Sequence, residues 1–573
     1  MKKKIDTAIG GRMKFVLAFF FVALALLLGR FFVLQIVDHR KYLKLAAQQH
    51  RLVQEVFSER GFLFMQDKNG QTIPVAMNRT YSTLIASPKQ IKQPSEAAAW
   101  LASQLHIAQE TLVAQFTKKN DQYEVVARKI SPEEREKIEQ RRIEGITFEE
   151  EKRRVYPHGA TGANIIGFVS KQEDKEVGKY GLERFYERDL AGEKGILEGA
   201  KDASGFWVGL GKRIVNPPKN GSSLLLTVDY NIQHKAEEML KKVREKWHAS
   251  SGTIVVTDPL TGKILALAVN PDFDPNLFAK ERDFSVFLNP VVESTFELGS
   301  VMKPVIMAAG IEEGLVRPDT TYTDPGQIKI AGFTIKNFDE KSYGLQTMTQ
   351  VIEKSLNTGV VYVARLLGQG RHSEYLRRFG FGAKTGIDLP GEVTGNLSNL
   401  LAGREVDYLT ASFGQGIAIT PLQLAGAIGA IANQGKLMQP FVVEKIIDDS
   451  GAERIISPQV KRQVVSSQTA EAITKMLVSA VRSGFENKAG VKGYFVAGKT
   501  GTAQIPRRDG RGYSDKVIHT FVGYAPAFKP RFLVVLQINE PQGNRFAANT
   551  LTPAFHELAE YIFNYYQVPP DEQ

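Results

Sequence analysis

A run of apolar residues near the N-terminus constrains this chain more strongly than any other stretch. It extends from Phe15 to Val37 and is interrupted only by Gly29, Arg30 and Gln35. About 20 apolar residues in helical conformation are enough to cross the hydrocarbon layer of a membrane. We therefore predict one transmembrane helix at residues 15–37, and no second run of comparable length follows it.

The residues that flank this run indicate its orientation and its fate. Lys2, Lys3, Lys4, Arg12 and Lys14 precede it, and basic residues are retained on the cytoplasmic side of a membrane. We expect residues 1–14 to form a cytoplasmic tail and the rest of the chain to lie outside. The alternative is a cleaved signal peptide, but the run is long and lacks a small-x-small cleavage site. We therefore expect an uncleaved anchor.

The remaining chain is long enough for several domains. A length of 573 residues corresponds to about three or four domains. The absence of cysteine excludes disulfides, thiolate metal sites and a cysteine nucleophile. The net charge of +11 raises the question of nucleic acid, but no zinc-finger spacing or aromatic-interleaved basic motif is present. An anionic membrane or wall surface explains the charge as well.

The composition changes at the Asn-Pro-Pro-Lys-Asn-Gly stretch of residues 216–221, and we place a boundary at residue 220. Residues 38–220 are polar and mixed, without a cluster of catalytic residue types, which indicates a spacer or docking module. After the boundary, predicted strands lie at residues 224–228, 252–258, 263–269, 493–502, 517–524 and 531–539, and residues 289–435 are mainly helical. Strands at both ends with helices between them predict an α+β domain with an antiparallel sheet flanked by helices.

A serine and a lysine three residues apart, Ser300 and Lys303, lie where a loop is predicted to become a helix. Residues at this spacing share one face of a helix. A serine is a poor nucleophile until a base removes its proton, and a desolvated, neutral lysine can be that base. Alone, the pair favours a solvated helix face, because a serine and a lysine at this spacing occur by chance in most long chains.

Two later stretches change this interpretation. Ser355 and Asn357 are two residues apart, and a β-like run carries Lys499, Thr500 and Gly501 in succession. The order Ser-x-x-Lys, Ser-x-Asn, Lys-Thr-Gly is the signature of serine β-lactamases and penicillin-binding proteins. Each motif is weak by itself, whereas the three in this order are strong evidence together.

With these motifs the chain resembles the class B penicillin-binding proteins, which are monofunctional peptidoglycan transpeptidases of bacteria. The resemblance extends to the anchor, to Arg60-Gly61, to Tyr180-Gly181-Leu182-Glu183, and to residues 384–392 and 413–421. It implies an elongated, non-catalytic α/β pedestal of the dimerisation type at residues 38–220. It also implies a penicillin-binding transpeptidase domain at residues 221–573, built on a five-stranded antiparallel sheet flanked by helices. No glycosyltransferase domain fits into the N-terminal half, which argues against a class A enzyme.

The resemblance also assigns the steps of a serine acyl-enzyme reaction. Ser300 would attack the carbonyl between the two terminal D-alanines of a stem peptide, and Lys303 would accept its proton. Lys499 would help to keep Lys303 neutral, because like charges lower the pKa of a lysine. The backbone amides of Ser300 and Thr502 would form the oxyanion hole. An amine from a neighbouring stem would then resolve the acyl-enzyme.

The remaining motif residues are implied to bind the substrate. Ser355 would relay a proton to the departing D-alanine, and Asn357 would hold the substrate amide. Gly501 would let the substrate backbone approach the strand edge. The hydroxyls of Thr500 and Thr502 would bind the terminal carboxylate. The reaction implied by the resemblance needs neither a metal nor an organic cofactor.

The implied partners follow from the same resemblance. They are peptidoglycan stem peptides as D-Ala-D-Ala donor and amine acceptor, β-lactam antibiotics as covalent inhibitors, and the bacterial cytoplasmic membrane. A polytopic glycosyltransferase and other proteins of the division machinery are further expected partners, and nucleic acid is not. The spacer and the Phe413–Gly416 region favour a septal role.

Three alternatives remain open on the sequence. The first is an elongation enzyme of the side wall. The second is a D,D-carboxypeptidase or β-lactamase-like hydrolase, which needs a base positioned to activate water. The spacing identifies no such glutamate, and Glu392 and nearby acids stay open for this role. The third is a non-catalytic sensor that β-lactams merely acylate.

Overall fold

The structure, a computed structural model, describes residues 2–42, 51–56, 58–118, 121–172, 175–200, 213–330, 332–484, 486–507 and 512–572. The chain divides into two compact units. The first comprises Met1–Glu59 and Gly192–Asn220, and the second comprises Arg60–Ala191 and Gly221–Gln573. All the predicted site residues lie in the second unit.

The α-helices are numbered here in chain order. They are α1 (Lys2–Phe32), α2 (Pro94–Leu105), α3 (Gln109–Phe116), α4 (Pro132–Arg141), α5 (Ala163–Ile166), α6 (Gly181–Phe185), α7 (Glu187–Ala191), α8 (Tyr230–Lys246), α9 (Pro290–Glu293), α10 (Lys303–Glu312), α11 (Met348–Glu353), α12 (Asn357–Arg378), α13 (Glu405–Ala411), α14 (Pro421–Ala432), α15 (Ser467–Ser483), α16 (Ala547–Thr550) and α17 (Thr552–Tyr566). Helix α12 departs from helical geometry at Gly368.

The strands are numbered in the same way. They are β1 (Arg51–Val56), β2 (Leu63–Gln66), β3 (Thr72–Ala86), β4 (Glu124–Ile130), β5 (Ile146–Val155), β6 (Val169–Gln172), β7 (Lys175–Gly178), β8 (Gly195–Ala200), β9 (Arg213–Asn216), β10 (Ser223–Asp229), β11 (Ser251–Thr257), β12 (Ile264–Asn270), β13 (Thr321–Asp324), β14 (Gln327–Ile330), β15 (Phe333–Lys336), β16 (Gly344–Thr347), β17 (Lys436–Met438), β18 (Val443–Ile447), β19 (Glu453–Ile455), β20 (Val460–Gln463), β21 (Ala497–Pro506), β22 (Tyr513–Ala525) and β23 (Phe532–Asn539).

The first unit contains the apolar helix that the sequence predicts. Helix α1 continues as a π-helical segment over Val33–Val37. Within the described residues, Met13–Val37 is the one segment long and apolar enough to cross a membrane, with a mean hydropathy of 2.6. Strands β1, β8 and β9 form a three-stranded antiparallel sheet in the same unit.

In the second unit, a seven-stranded sheet joins strands from both sides of residue 220. Its order is β19-β18-β10-β2-β3-β4, and β5 also pairs with β3. Strands β10 and β2 are parallel, and the other neighbours are antiparallel. Helices α2 to α4 pack near β3 and β4 around a small core that includes Leu84, Leu101, Leu112 and Phe116.

A five-stranded sheet in the order β12-β11-β23-β22-β21 forms the centre of the C-terminal part. All its neighbours are antiparallel, which confirms the predicted α+β arrangement. Ile254 and Val256 of β11 pack in one core with α8 and α17. Val255 lies in another core with α10, α14 and α15. Successive strand residues face opposite sides, so helices cover both faces and β21 is left as an edge.

Candidate active site

The segment with the proposed nucleophile begins as a 3-10 turn over Gly299–Met302 and becomes helix α10 at Lys303. Side chains three residues apart eclipse one another in 3-10 geometry. Ser300 and Lys303 therefore lie on the same side, as predicted, although a 3-10 turn rather than an α-helical turn aligns them. Lys303 is fully buried, whereas Ser300 is partly exposed.

Two glycines allow this turn to pack tightly between its neighbours. Gly299 has φ +61°, and a Cβ there would lie 2.9 Å from the Thr502 carbonyl oxygen. A Cβ on Gly414 would lie 2.3 Å from the Gly299 oxygen, and the Gly299 N–H donates to the Gly414 oxygen at 3.2 Å. The edge strand β21 and the loop at Gly414 thus hold the turn from two sides.

The amine of Lys303 connects the first two motifs. It donates to the carbonyl oxygen of Ser355 and to Ser355 Oγ, the latter at 3.2 Å. In the part of the chain that the structure describes, no hydrogen bond joins it to Ser300. Burial, and then the charge of Lys499, lower the pKa of Lys303 well below its ordinary value, while Glu486 acts in the opposite direction. The neutral amine that a general base requires is thereby favoured.

The second motif lies at the junction of α11 and α12. Ser355 is buried and has φ +54°, a left-handed conformation that is unfavourable for residues other than glycine and clusters at functional sites. Asn357 is the first residue of α12, and its Nδ2 donates to the Lys336 carbonyl oxygen at 2.7 Å. The contact of Asn357 with a substrate amide stays a prediction.

The third motif lies on the edge strand β21. Lys499 is fully buried and forms an ion pair with Glu486, which is also fully buried. Glu486 Oε1 accepts from the Thr500 hydroxyl at 2.7 Å and from the Thr500 N–H at 3.2 Å. Glu486 is not among the residues that the sequence predicts for the site, because an acid 13 residues before Lys499 belongs to no recognisable spacing.

The end of the motif contacts the nucleophile segment. A Cβ on Gly501 would lie 2.6 Å from the Leu298 carbonyl oxygen. Gly501 is therefore required by the packing of this protein itself, and the approach of a substrate backbone stays a prediction. The Thr502 hydroxyl accepts from the Ala547 N–H at 3.3 Å.

Glu392, one of the acids that the sequence leaves open for water activation, is hydrogen-bonded within its own loop. Its Oε1 accepts from the N–H and the hydroxyl of Thr385, and its Oε2 accepts from the Gly386 N–H at 3.1 Å. Both oxygens are thus occupied by donors of residues 385 and 386. This arrangement gives the carboxylate a structural task in the loop.

Comparison with known proteins identifies the family. The family model described as "Penicillin binding protein transpeptidase domain" matches residues 252–560, and "Penicillin-binding Protein dimerisation domain" matches residues 56–226. The chain therefore belongs to the class B penicillin-binding proteins, and it is a membrane-anchored serine transpeptidase of that family.

Relatives of this chain are known from several bacteria. It is 34% identical to stage V sporulation protein D of Bacillus subtilis, covering 95% of this chain and 84% of the relative. It is 30% identical to peptidoglycan D,D-transpeptidase FtsI of Escherichia coli, covering 96% and 91%. Penicillin binding protein 3 of Mycobacterium tuberculosis, solved in complex with aztreonam, superimposes with a TM-score of 0.70 at 27% identity over 90% of this chain and 98% of that one. Penicillin Binding Protein 2X of Streptococcus thermophilus has the same fold, with a TM-score of 0.78 at 24% identity over 90% and 81%.

Proposed function

We propose that this protein is a peptidoglycan D,D-transpeptidase that cross-links stem peptides through an acyl-enzyme on Ser300. The observation that carries the proposal is the buried amine of Lys303, which lies on the same side of the 3-10 turn as Ser300 and binds Ser355. The relative named peptidoglycan D,D-transpeptidase supports the substrate class, and the relative solved with aztreonam supports inhibition by β-lactams.

Acylation begins when Ser300 Oγ attacks the carbonyl between the two D-alanines. Lys303 takes the hydroxyl proton, and the N–H groups of Ser300 and Thr502 stabilise the oxyanion. The C–N bond then breaks. The proton passes from Lys303 through Ser355 to the nitrogen of the departing D-alanine, which leaves Lys303 neutral and Ser300 as an ester.

Cross-linking reverses these proton movements. The amine of a second stem peptide attacks the ester carbonyl, and its surplus proton is taken by Lys303. The new amide forms as the bond to Ser300 Oγ breaks, and the serine recovers a proton from Lys303. The same group acts as base and then as acid in each half of the reaction.

The edge strand β21 provides the binding surface for the donor peptide. We assign the hydroxyls of Thr500 and Thr502 to its terminal carboxylate and the side chain of Asn357 to its amide. Gly501 keeps the strand free of a side chain where the peptide adds to the edge. Lys499, which precedes Thr500 on the strand, supplies positive charge beside these binding groups.

The cellular role extends the proposal. The basic residues that precede the anchor support a catalytic part on the outer side of the cytoplasmic membrane. We further infer that the protein acts at the division septum, together with a polytopic glycosyltransferase and other division proteins. A fluorescent fusion that marks the septum, with filaments on depletion, is the expected result. Side-wall labelling with rounding would instead assign the protein to elongation.

Covalent labelling tests the nucleophile directly. Fluorescent penicillin is expected to label the wild-type protein, and Ser300→Ala is expected to abolish labelling because the acyl bond cannot form. Ser294→Ala, at an exposed serine nearby, is the matched control and should label normally. Labelling that survives in Ser300→Ala would refute the assignment.

Product analysis separates a transpeptidase from the alternatives. With a D-Ala-D-Ala peptide or thioester and an amine acceptor, the wild type is expected to form the aminolysis product. Hydrolysis alone would indicate a carboxypeptidase. The absence of turnover despite penicillin labelling would indicate a sensor.

A further inference from the structure

Glu486 lies beside the third motif and takes no part in the reaction as proposed so far. It follows the end of α15 and precedes a short 3-10 turn over Asn487–Ala489. Its side chain is fully buried. One oxygen, Oε1, accepts from the Lys499 amine, from the Thr500 N–H and from the Thr500 hydroxyl.

These donors are the ones that a bound peptide needs. A threonine hydroxyl has one proton to donate, and the Thr500 proton is directed at Glu486 over 2.7 Å. The Lys499 charge is likewise paired with the Glu486 carboxylate. The terminal carboxylate of a donor peptide therefore approaches a Thr500 hydroxyl that already donates to the Glu486 carboxylate.

The other oxygen of Glu486 is not used by any of these donors. Among the described residues, Glu486 Oε2 has no hydrogen-bond partner although it is buried. A buried carboxylate oxygen without a partner is destabilising, because it has lost its contacts with water and gained no donor in exchange. Orphaned polar groups of this kind require an explanation beyond packing.

We propose that Glu486 is a positioning residue for acylation, which competes with the terminal carboxylate of the donor for Thr500 and moderates the positive field of Lys499 at Lys303. This inference rests on the proposed function. Without the Glu486 charge, the site holds a carboxylate-bearing donor more tightly. The charge thus sets how strongly the enzyme depends on the carboxylate of its substrate.

The same charge sets the pH at which the base is active. The charged groups that act on Lys303 are Lys499 from β21 and Glu486 from the α15–β21 connection, while the contact from the α11–α12 junction, Ser355, is uncharged. Burial and Lys499 lower the pKa of Lys303, and Glu486 raises it. Removal of the Glu486 charge therefore moves the acidic limb of the acylation profile to lower pH.

The test compares acylation by a penicillin and by its methyl ester, using the full chain in detergent from about pH 5 to about pH 9. For Glu486→Gln, the ratio of the two second-order rate constants, acid over ester, is expected to rise about three- to tenfold. The acidic limb is expected to move down by about one pH unit. Rates are taken from the time course of the fraction that labels, so a lower folded yield does not affect them.

Two further variants make the test decisive. Glu486→Asp keeps the charge but draws it back from Thr500, so the ratio should rise while the limb stays in place. This variant carries the test if Glu486→Gln does not fold. Glu471→Gln removes an exposed charge from α15 and should change neither quantity.

The outcomes separate this inference from the proposed function. Unchanged ratios in both Glu486 variants would overturn the inference while the labelled wild type upheld the proposed function. A ratio that rises without any shift of the limb in Glu486→Gln would refute the effect on Lys303. A wild type that penicillin does not label would refute the proposed function itself.

Discussion

Two fully buried carboxylates in the same compact unit, Glu183 and Glu486, are satisfied in opposite ways. Glu183 Oε1 accepts from Arg154 Nε at 2.7 Å and from the Tyr156 hydroxyl at 3.3 Å, and its Oε2 accepts from Arg60 Nε at 2.6 Å. Glu486 collects its three donors on one oxygen. Only the carboxylate near the reaction retains an oxygen without a partner among the described residues.

The Glu183 cluster has fixed charges, whereas the charges of the active site are adjustable. Arginine stays protonated in proteins, and its planar fork matches a carboxylate. Burial raises the pKa of Glu183, but Arg154 and Arg60 outweigh it and lower that pKa, so the cluster keeps its charges. The active site uses Lys303 instead, and burial lowers the pKa of this lysine well below its ordinary value. We infer that the first arrangement holds the pedestal and the second serves chemistry.

The largest expected effect concerns the active site, where the charge of Lys303 is adjustable. Lys303→Arg keeps a cation but removes the group that can be deprotonated, so acylation should fall by about 10²–10⁴-fold. Lys499→Arg keeps the positive field and should slow acylation while leaving it measurable. Both are measured as second-order rates of penicillin acylation on the full chain. Equal rates for the two variants would show that the proton of Ser300 goes elsewhere.

The next largest effect concerns the Glu183 cluster, where the charges are fixed. Glu183→Gln removes the carboxylate that the buried Arg154 and Arg60 share and leaves Arg60 with its pair to Glu187. This should lower the free energy of unfolding by about 3–5 kcal/mol. The protein that remains folded should acylate at the wild-type rate, because the cluster has no role in the chemistry. Glu139→Gln, at an exposed pair with Arg135, is the control and should change stability by less than about 1 kcal/mol. A slow but fully stable Glu183→Gln protein would contradict the division of roles.

A smaller effect sharpens the comparison within the pedestal. Tyr156→Phe removes the hydroxyl that donates to Glu183 and accepts from the Val169 N–H at 3.0 Å. Because the arginines remain paired, we expect a loss of about 1–3 kcal/mol from the unfolding free energy. Denaturant titration of this variant beside Glu183→Gln checks the order. A loss as large as that of Glu183→Gln would mean that the hydroxyl, and not the charges, dominates the cluster.

The features that the sequence predicts are local ones. Each of them can be recognised within a short stretch of sequence. They are the apolar run that begins at Phe15, the strand flanking Lys499, and the spacing of Ser300 and Lys303. The seven-stranded sheet cannot be recognised in this way, since β2 and β10 pair across about 160 residues. Residues 289–435, predicted as mainly helical, also contain the short strands β13 to β16. Each has four residues, which are too few to distinguish a strand by its alternation.

The active site, like the fold, was predictable only in its local features. The three motifs name the residues, but Glu486 lies in a connection whose conformation depends on tertiary packing, and one acid among many carries no signal. The 3-10 geometry at Ser300 also escapes prediction. Gly299 of this turn packs against Gly414 and Thr502, which are distant in the sequence. The position of Glu486 and the turn at Ser300 both involve contacts between segments that are distant in the sequence.

The central claim is that Lys303 is neutral in the folded enzyme and takes the proton of Ser300. Its most direct test is the pH dependence of the penicillin acylation rate of the wild type. A base must be unprotonated, so the rate falls as pH drops through the pKa of Lys303 in the folded enzyme, and above that pKa it is constant. Because that pKa is lowered well below its ordinary value, the rate should reach its plateau well below pH 10. A rate that instead rises about tenfold per pH unit up to about pH 10.4, the range of an ordinary lysine, would contradict the account.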